Sequence, residues 1–261
     1  MQNKTISLNN QTITYWQGGS GAPLLLIHGG IGNAELHWAP IWNQLAERYT
    51  VIAPNLPSFG ETSPLERVGF AQIADWVVNL LDALKVESAS VIGNSFGGGV
   101  SRLMASRHER RVKRLILVNG GAIPNIPPFV GRMMQSSIFN GIFNMIRKQT
   151  FSFKGLAPMF ADRSFLTNEF IAQAEADSLG FVTLMRQSAS EGVGTEVVPQ
   201  VPTLVLWGED DKFTKVSMGQ NLAKMIPNAE FKLFVGAGHM PQIEKPDEFV
   251  KNVNGFLNDG L

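Results

Sequence analysis

One serine stands among small residues in the stretch Gly93-Asn94-Ser95-Phe96-Gly97, which fits the pattern G-x-S-x-G. An apolar run stops just before this stretch at Ile92, and apolar residues at helical spacing start just after it. The sequence therefore predicts a strand that ends at Ile92, a tight turn that carries Ser95, and a helix that begins near Phe96. A serine on such a turn presents its hydroxyl beyond the sheet edge, where it can attack a carbonyl carbon. The alternative interpretation is a glycine-rich turn that only packs the helix on the sheet.

A nucleophilic serine needs a base, and the chain offers four histidines. His239 lies in a glycine-containing loop, residues 235–241, after the last predicted strand. Loops at the carboxyl ends of strands reach the active edge of an open α/β sheet, so we assign His239 as the base. A polar surface residue is the alternative. His28 ends a buried strand and is expected to be structural, while His37 lies near a helix start and His108 at a solvated helix end.

This chemistry also needs a carboxylate that orients the imidazole and stabilises its charged form. Three consecutive acids, Glu209, Asp210 and Asp211, follow the predicted strand that ends at Trp207. Only one of them needs to turn inward, and the others can cap the next helix or face water. The residues by themselves leave the choice among the three open.

Backbone N–H groups are expected to bind the negative oxygen that forms when a nucleophile attacks a carbonyl. One donor is the N–H of Phe96, directly after the serine. The other comes from the loop Ile27-His28-Gly29-Gly30, whose glycines let the backbone approach a ligand. We assign this second donor to Gly30, with Ile31 as the alternative.

Composition excludes several other classes of function. Lys plus Arg and Asp plus Glu both number 22, so the zero net charge supports neither a nucleic-acid nor a membrane partner, and we expect a small-molecule substrate. The absence of cysteine excludes disulfides, cysteine-ligated metals and a cysteine nucleophile, and we expect no metal and no cofactor. The polar N-terminus lacks a signal-peptide core, and no run approaches about 18 apolar residues, so we expect a cytoplasmic protein.

Strand and helix patterns alternate along most of the chain. Ile6–Leu8 and Thr12–Tyr15 flank an asparagine turn, which predicts an antiparallel hairpin. Apolar residues at spacings of three and four predict an amphipathic helix over residues 70–84. Continuous apolar runs, typical of strands buried on both faces, occur at Pro23–Ile27, Thr50–Ala53, Ser88–Ile92, Leu115–Val118 and Pro202–Trp207. This order predicts an α/β fold with a mostly parallel sheet and helices on both faces.

The alternation stops after Val118 and resumes at Val201, and Pro-rich and Gly-rich segments mark the ends of the interruption. We predict a core domain made of residues 1–121 and 196–261, with a helical cap over residues 122–195. The cap is rich in Phe and Met. We expect over half of a set of seven side chains to form its own core and the rest to line an acyl pocket. The seven are Phe129, Met133, Met134, Phe139, Phe143, Met145 and Met159.

Five stretches together resemble the α/β-hydrolase superfamily, and the likeness runs nearly end to end. The stretches are LLLIHGG, VIAPNLPSFGETS, VIGNSFGG, VLWGEDDKF and GAGHMPQIEKPDEF. The resemblance implies a nucleophile, an acid and a histidine in that chain order, with Ser95 first and His239 last. It also implies that the acid is the third residue after the glycine of W-G-x-x-D, which is Asp211 and not Asp210.

Within this superfamily, Gly-Asn-Ser-Phe-Gly-Gly resembles the serine turn of the meta-cleavage-product hydrolases, which split carbon–carbon bonds of vinylogous diketones. The resemblance implies a cap arginine that binds the substrate carboxylate, for which Arg186 is the candidate; a solvated or salt-bridged helix residue is the alternative. Asn94 and Met240 are further candidates for substrate contact. Met240 is also a departure, because that subfamily usually carries Trp after the catalytic histidine. A second departure replaces the Asp and the first Gly of D-x-P-G-x-G-x-S by Asn55 and Ser58.

We therefore expect a serine hydrolase that cleaves carboxylic esters of small-to-medium apolar acyl groups through an acyl-enzyme on Ser95. The first alternative is carbon–carbon hydrolysis of meta-cleavage products, the 2-hydroxy-6-oxo-dienoates. Acyl transfer to an alcohol or thiol and a non-catalytic ligand binder on the same fold are further alternatives. The serine argues against haloalkane dehalogenases and epoxide hydrolases, which this chain also resembles, because those enzymes carry Asp at this turn.

Overall fold

The computed structural model describes residues 1–67, 69–122, 127–188 and 198–258. Its centre is a sheet of eight strands in the order β1-β2-β4-β3-β5-β6-β7-β8. The strands are β1 (Gln2–Leu8), β2 (Gln11–Gly18), β3 (Ala22–Ile27), β4 (Tyr49–Pro54), β5 (Ala89–Asn94), β6 (Val112–Val118), β7 (Thr203–Gly208) and β8 (Glu230–Phe234). The pairs β1–β2 and β2–β4 are antiparallel and the other strand pairs are parallel, so the predicted α/β class with a mostly parallel sheet is confirmed.

Helices cover both faces of the sheet. They are α1 (Ala34–Ala46), α2 (Phe70–Ala83), α3 (Phe96–Arg107), α4 (Pro128–Met134), α5 (Asn140–Thr150), α6 (Phe153–Leu156), α7 (Asn168–Ala176), α8 (Ser178–Ser188), α9 (Val216–Met225), α10 (Pro241–Glu244) and α11 (Pro246–Asn258). Side chains of α2, α3 and α9 share one apolar core with the strands, and side chains of α1 and α11 share the other. The sheet is therefore the middle of three layers, and its carboxyl edge is left for loops.

The first two strands form the predicted hairpin. Leu8 pairs with Gln11, so the connection consists of Asn9 and Asn10 alone. Both asparagines have positive φ, 51° and 61°, the left-handed pair that a type I′ turn requires. Asparagine tolerates this conformation better than most side chains do, which explains the sequence at the turn.

Strand β5 is longer than the sequence predicts. The apolar run ends at Ile92, but backbone pairing with β6 continues through Gly93 and Asn94, which lies opposite Val118. Pairing depends on backbone groups and not on apolar side chains, so a polar residue can extend a buried strand. The turn that carries Ser95 therefore begins directly at the last paired residue.

Helices α4 to α8 lie between β6 and β7, and we call them the insertion. Much of the insertion packs around a third apolar cluster that includes Phe151, Leu156, Met159, Phe160, Leu166, Phe170 and Ala174. The same cluster contains three residues from outside the insertion: Leu36 of α1, and Ile31 and Met240 from loops that follow strands of the sheet. The division into a core domain and a cap over residues 122–195 stays a prediction, because segments 123–126 and 189–197 at its borders lie outside the described residues.

The expectation that over half of the seven Phe and Met side chains form the insertion's core is wrong. Only Phe143 and Met159 are buried, while Phe129, Met133 and Met145 are largely exposed. The buried aromatics come mainly from residues 151–170, where short helices and turns hide any clear periodicity.

No helix in the described part of the chain combines the length and the apolar character that crossing a bilayer demands.

Candidate active site

Ser95 lies on a tight turn between β5 and α3, as predicted. Its φ of 54° and ψ of −117° are rarely adopted by residues with side chains, so the surrounding structure must hold this turn. The Ser95 N–H donates to the carbonyl oxygen of Val118 at the end of β6 (2.9 Å). A Cβ on Gly97 would collide with the carbonyl oxygen of Ile27, and one on Gly93 would collide with Gly97. Glycine is therefore needed at both flanking positions.

Asp211 and His239 are joined by a hydrogen bond of 2.7 Å between the carboxylate Oδ2 and the imidazole Nδ1. Both side chains are buried. The Asp211 Oδ1 accepts from the backbone N–H groups of Phe213 (2.8 Å) and Thr214 (2.9 Å). The side chain of Asn119 also donates to Oδ2, at 2.6 Å. Among the three consecutive acids, Asp211 is the one that turns inward, while Glu209 and Asp210 are exposed.

These contacts keep Asp211 ionised. Burial by itself would raise the pKa of the carboxyl, but the hydrogen bonds from His239 and Thr214 and the charge of a protonated His239 outweigh it and lower the pKa. An ionised Asp211 holds the Nδ1 proton of His239, which leaves Nε2 free to accept a proton.

The loop after β3 lies beside the serine. A Cβ added to Gly29 would lie 3.1 Å from the Ser95 Cβ, so a side chain at this position would crowd the serine. Phe96 is the first residue of α3, and N–H groups of a first helical turn have no partner within the helix. Both predicted sources of oxyanion donors therefore border Ser95. Gly30 itself faces the Phe181 ring of α8, and its role as a donor stays a prediction.

Two buried histidines, His28 and His37, contact the backbone of the loop after β3. The His28 Nε2 accepts the N–H of Leu56 at 2.8 Å, and its Nδ1 lies 2.7 Å from the Gly29 carbonyl oxygen. His37 Nε2 lies 2.8 Å from the carbonyl oxygen of Ile31. Burial lowers the pKa of His28 to about 3 and that of His37 to about 4, so both rings are neutral at neutral pH. His28 is thus structural, as expected, whereas the sequence analysis assigned no role to His37.

Glu244, which the sequence analysis did not single out, ties the His239 loop to the insertion. Its Oε1 accepts the N–H of Gly238 at 2.7 Å, and its Oε2 accepts the N–H of Ala161 at 2.8 Å. The His239 N–H donates to the carbonyl oxygen of Met159 at 2.6 Å. Glu244 lies in the stretch GAGHMPQIEKPDEF, so its motif was visible although its contacts were not.

The structure gives Asn94 and Met240 places in the interior. Asn94 is fully buried, and its amide donates to the carbonyl oxygens of Val118 (3.0 Å) and His239 (3.2 Å). Met240 is fully buried in the third apolar cluster. The contacts of Asn94 connect β5, β6 and the His239 loop, and contact of either residue with a substrate stays a prediction.

Arg186 is bound within the insertion. Its guanidinium donates to the carbonyl oxygens of Met134 (3.0 Å) and Gln135 (2.9 Å) and to the Oδ1 of Asn140 (2.8 Å). It also stacks over the Phe143 ring, 4.8 Å from the centroid. These bonds join α8 to α4 and α5, and the role of Arg186 as a carboxylate clamp stays a prediction.

Comparison with known proteins identifies the family to which the chain belongs. The model of the Alpha/beta hydrolase family matches residues 24–252. A 2-hydroxymuconate semialdehyde hydrolase of Pseudomonas sp. (strain CF600) is 31% identical over 260 residues, covering 92% of this chain and 88% of the relative. Lipase 1 of Psychrobacter immobilis is 29% identical over 246 residues, covering 91% and 77%. The solved meta-cleavage product hydrolase of Pseudomonas fluorescens IP01 superposes with a TM-score of 0.78 at 26% identity, covering 99% of this chain and 98% of that chain.

The chain belongs to the α/β-hydrolase family, and it is a hydrolase of that class. Its relatives include enzymes named as semialdehyde and dienoate hydrolases and an enzyme named as a lipase. Family membership therefore fixes the fold and the general reaction and leaves the substrate class to the site.

Proposed function

We propose that the protein is a serine hydrolase that cleaves carboxylic esters with small-to-medium apolar acyl groups, using Ser95, His239 and Asp211. The observation that carries the proposal is the buried 2.7 Å hydrogen bond between Asp211 and His239. The loops that carry these two residues follow strands at the same edge of the sheet as the strained Ser95 turn. Strain at a serine flanked by obligatory glycines has no evident structural use, whereas it suits a nucleophile.

In the proposed reaction, His239 Nε2 takes the Ser95 hydroxyl proton as Oγ bonds to the ester carbonyl carbon. The carbonyl π electrons move to oxygen, and the N–H groups of Phe96 and Gly30 stabilise that negative charge. When the tetrahedral intermediate collapses, the bond to the alcohol oxygen breaks, and His239 gives its proton to that leaving oxygen. Water, deprotonated by His239, then hydrolyses the acyl-Ser95 ester and releases the acid.

Two observations favour ester cleavage over carbon–carbon cleavage. The Arg186 guanidinium, the candidate for binding a dienoate carboxylate, is bonded to carbonyl oxygens of the insertion. Met240 stands where the subfamily resemblance leads us to expect Trp, and it packs in the apolar cluster. Carbon–carbon hydrolysis of meta-cleavage products is the second candidate, favoured by the relative at 31% identity.

A substrate panel separates the two candidates. We expect p-nitrophenyl esters of short and medium chain length to be hydrolysed with a clear optimum of chain length, and a 2-hydroxy-6-oxo-dienoate to be hydrolysed far more slowly. The dienoate as preferred substrate would contradict the ester assignment and support the second candidate.

The Ser95→Ala variant is the control for that panel. Removing the nucleophile is expected to reduce kcat/KM for the best ester by roughly 10⁴–10⁶-fold, because triad residues act as a unit. Lys113→Ala, an exposed change at the start of β6, serves as the matched variant with unchanged activity. A Ser95→Ala enzyme with near-wild-type turnover would overturn the proposed mechanism.

A further inference from the structure

The outer side of the insertion exposes large apolar side chains. Ile138 is 80% exposed, Phe129 66% and Met145 61%. Isolated exposed hydrophobic residues are ordinary, but six of them within residues 129–153 call for an explanation. We call these six the outer apolar face: Phe129, Met133, Ile138, Ile142, Met145 and Phe153.

Helical geometry directs these side chains outward together. Phe129 and Met133 are four residues apart on α4, while Ile142 and Met145 are three apart on α5, so each pair shares one side of its helix. Phe143 is the one buried residue of α5, and it packs beneath the Arg186 guanidinium. One aromatic side chain therefore anchors α5, and the apolar row beside it faces away from the protein.

Basic side chains are interleaved with this face. Residues 127–161 contain no acidic side chain and four basic ones: Arg132, Arg147, Lys148 and Lys154. Arg132 follows Phe129 by three residues, and Lys148 follows Met145 by three, so exposed cations lie on the same sides of α4 and α5. This segment carries four positive charges although the net charge of the whole chain is zero.

A groove beside the face adds to the positive charge. It has a volume of about 310 Å³ and borders Phe153. Its lining includes the side chains of Lys154, Arg163 and Lys212. A concave site with several cations next to exposed aromatic surface fits a phosphate head group whose acyl chains lie against the apolar side chains.

We propose that the outer apolar face docks this enzyme onto an anionic phospholipid bilayer. A basic and apolar helical surface is the pattern that binds in the interface plane of such membranes. A second copy of the chain fits less well, because a symmetric pairing of this face would oppose two sets of the same positive charges. The expectation of no membrane partner rested on the net charge of the whole chain, which does not reveal the local positive charge of residues 127–161. The inference is independent of the ester proposal, since docking requires no turnover.

Co-sedimentation of the full chain with vesicles tests the proposal. We expect binding to vesicles of phosphatidylcholine mixed with phosphatidylglycerol, weaker binding to phosphatidylcholine alone, and release at high salt. Ile138→Ser combined with Ile142→Ser should lower the partition coefficient by about tenfold or more, because these side chains enter the interface. Lys148→Glu combined with Lys154→Glu should lower it by at least about tenfold on the anionic vesicles.

Matched changes elsewhere on the surface are the controls. Met225→Ser removes an apolar side chain of α9 that is 47% exposed, close to the 48% of Ile142, and Lys113→Glu reverses an exposed charge on β6; both should bind as the wild type does. Absence of vesicle binding, or binding that both double variants retain, would overturn the proposal. Concentration-dependent dimers that Ile138→Ser with Ile142→Ser abolishes, without vesicle binding, would assign the face to a second copy instead.

Discussion

The inner and outer sides of the insertion use similar residues in opposite ways. On the inner side, the rings of Phe160 and Phe170 pack edge to face with centroids 5.2 Å apart, in the apolar cluster that also contains Met240, the residue after His239. On the outer side, Phe129 and Met145 are exposed. Apolar composition alone therefore does not say which residues build the protein and which meet a partner.

Polar contacts make the same distinction. The inner side is tied to the His239 loop by the Glu244 carboxylate and by the bond from the His239 N–H to Met159. The six side chains of the outer apolar face are instead between 48% and 80% exposed, so they contribute little to the packing of the insertion. We therefore expect changes on the inner side to affect stability and catalysis and changes on the outer side to affect neither.

Phe160→Ala should give the largest effect on this comparison. Phe160 is buried and contacts both Phe165 and Phe170, so its loss leaves a cavity in the inner cluster. We expect the free energy of unfolding to fall by about 3–5 kcal/mol. Urea denaturation followed by tryptophan fluorescence measures it, and a loss below about 1 kcal/mol would show that the inner cluster is not a core.

Glu244→Gln tests the polar tie between the insertion and the His239 loop. A glutamine keeps the size but presents an NH₂ group to at least one of the backbone N–H groups that the carboxylate now accepts. We expect a loss of about 2–3 kcal/mol in unfolding free energy.

The same variant should lower kcat more than it raises KM, by about tenfold, because the His239 backbone is displaced. Glu248→Gln, an exposed change at the start of α11, is the control. Unchanged stability and unchanged kcat in Glu244→Gln would show that Glu244 neither stabilises the protein nor positions the His239 loop.

His37→Gln tests the contact between His37 and the loop after β3 through the pH dependence of stability. The pKa of His37 is about 4 in the folded protein and about 6.5 when unfolded, so the unfolded chain binds the extra proton between these values. Stability should therefore fall as the pH drops from 7 to 5, by about 2 kcal/mol from this residue. Denaturation midpoints at both pH values should show a correspondingly smaller loss in His37→Gln, and an identical loss in both proteins would contradict the assignment.

Ile138→Ala should give the smallest effect. Its side chain is 80% exposed and contributes little to any core, so we expect the unfolding free energy to change by less than about 0.5 kcal/mol. Activity on a soluble ester should stay at the wild-type level. A loss comparable to that of Phe160→Ala would erase the difference between the two sides.

Much of the fold could be predicted because buried parallel strands are continuous apolar runs and their helices are periodic. The runs ending at Ile27, Val118 and Trp207 are all strands of the sheet, and the helix predicted over residues 70–84 is α2. The insertion could not be resolved in this way. Its core comes from short helices and turns around Phe151 and Phe160, where no period extends far enough to indicate a buried side.

The site was predictable where chemistry restricts the residue type. Serine, histidine and an acid are few enough to be singled out, and the choice of Asp211 over Asp210 required the family resemblance. The sequence did not indicate roles for Asn119 and Glu244, because these residues form contacts with backbone and carboxylate groups that only the fold brings together. The hydrogen bonds of Arg186 could not be predicted, because the sequence pattern around a cation is the same whether it binds a substrate or neighbouring helices.

Labelling with a fluorophosphonate probe tests whether Ser95 is a nucleophile activated by His239 and Asp211. We expect one covalent adduct per chain, located on Ser95 by peptide mass spectrometry and absent from Ser95→Ala. Labelling should also be slowed by about 10³-fold or more in Asp211→Asn, because the imidazole loses its orienting carboxylate. A wild-type protein that stays unlabelled, or an adduct on another residue, would show that Ser95 is not the activated nucleophile.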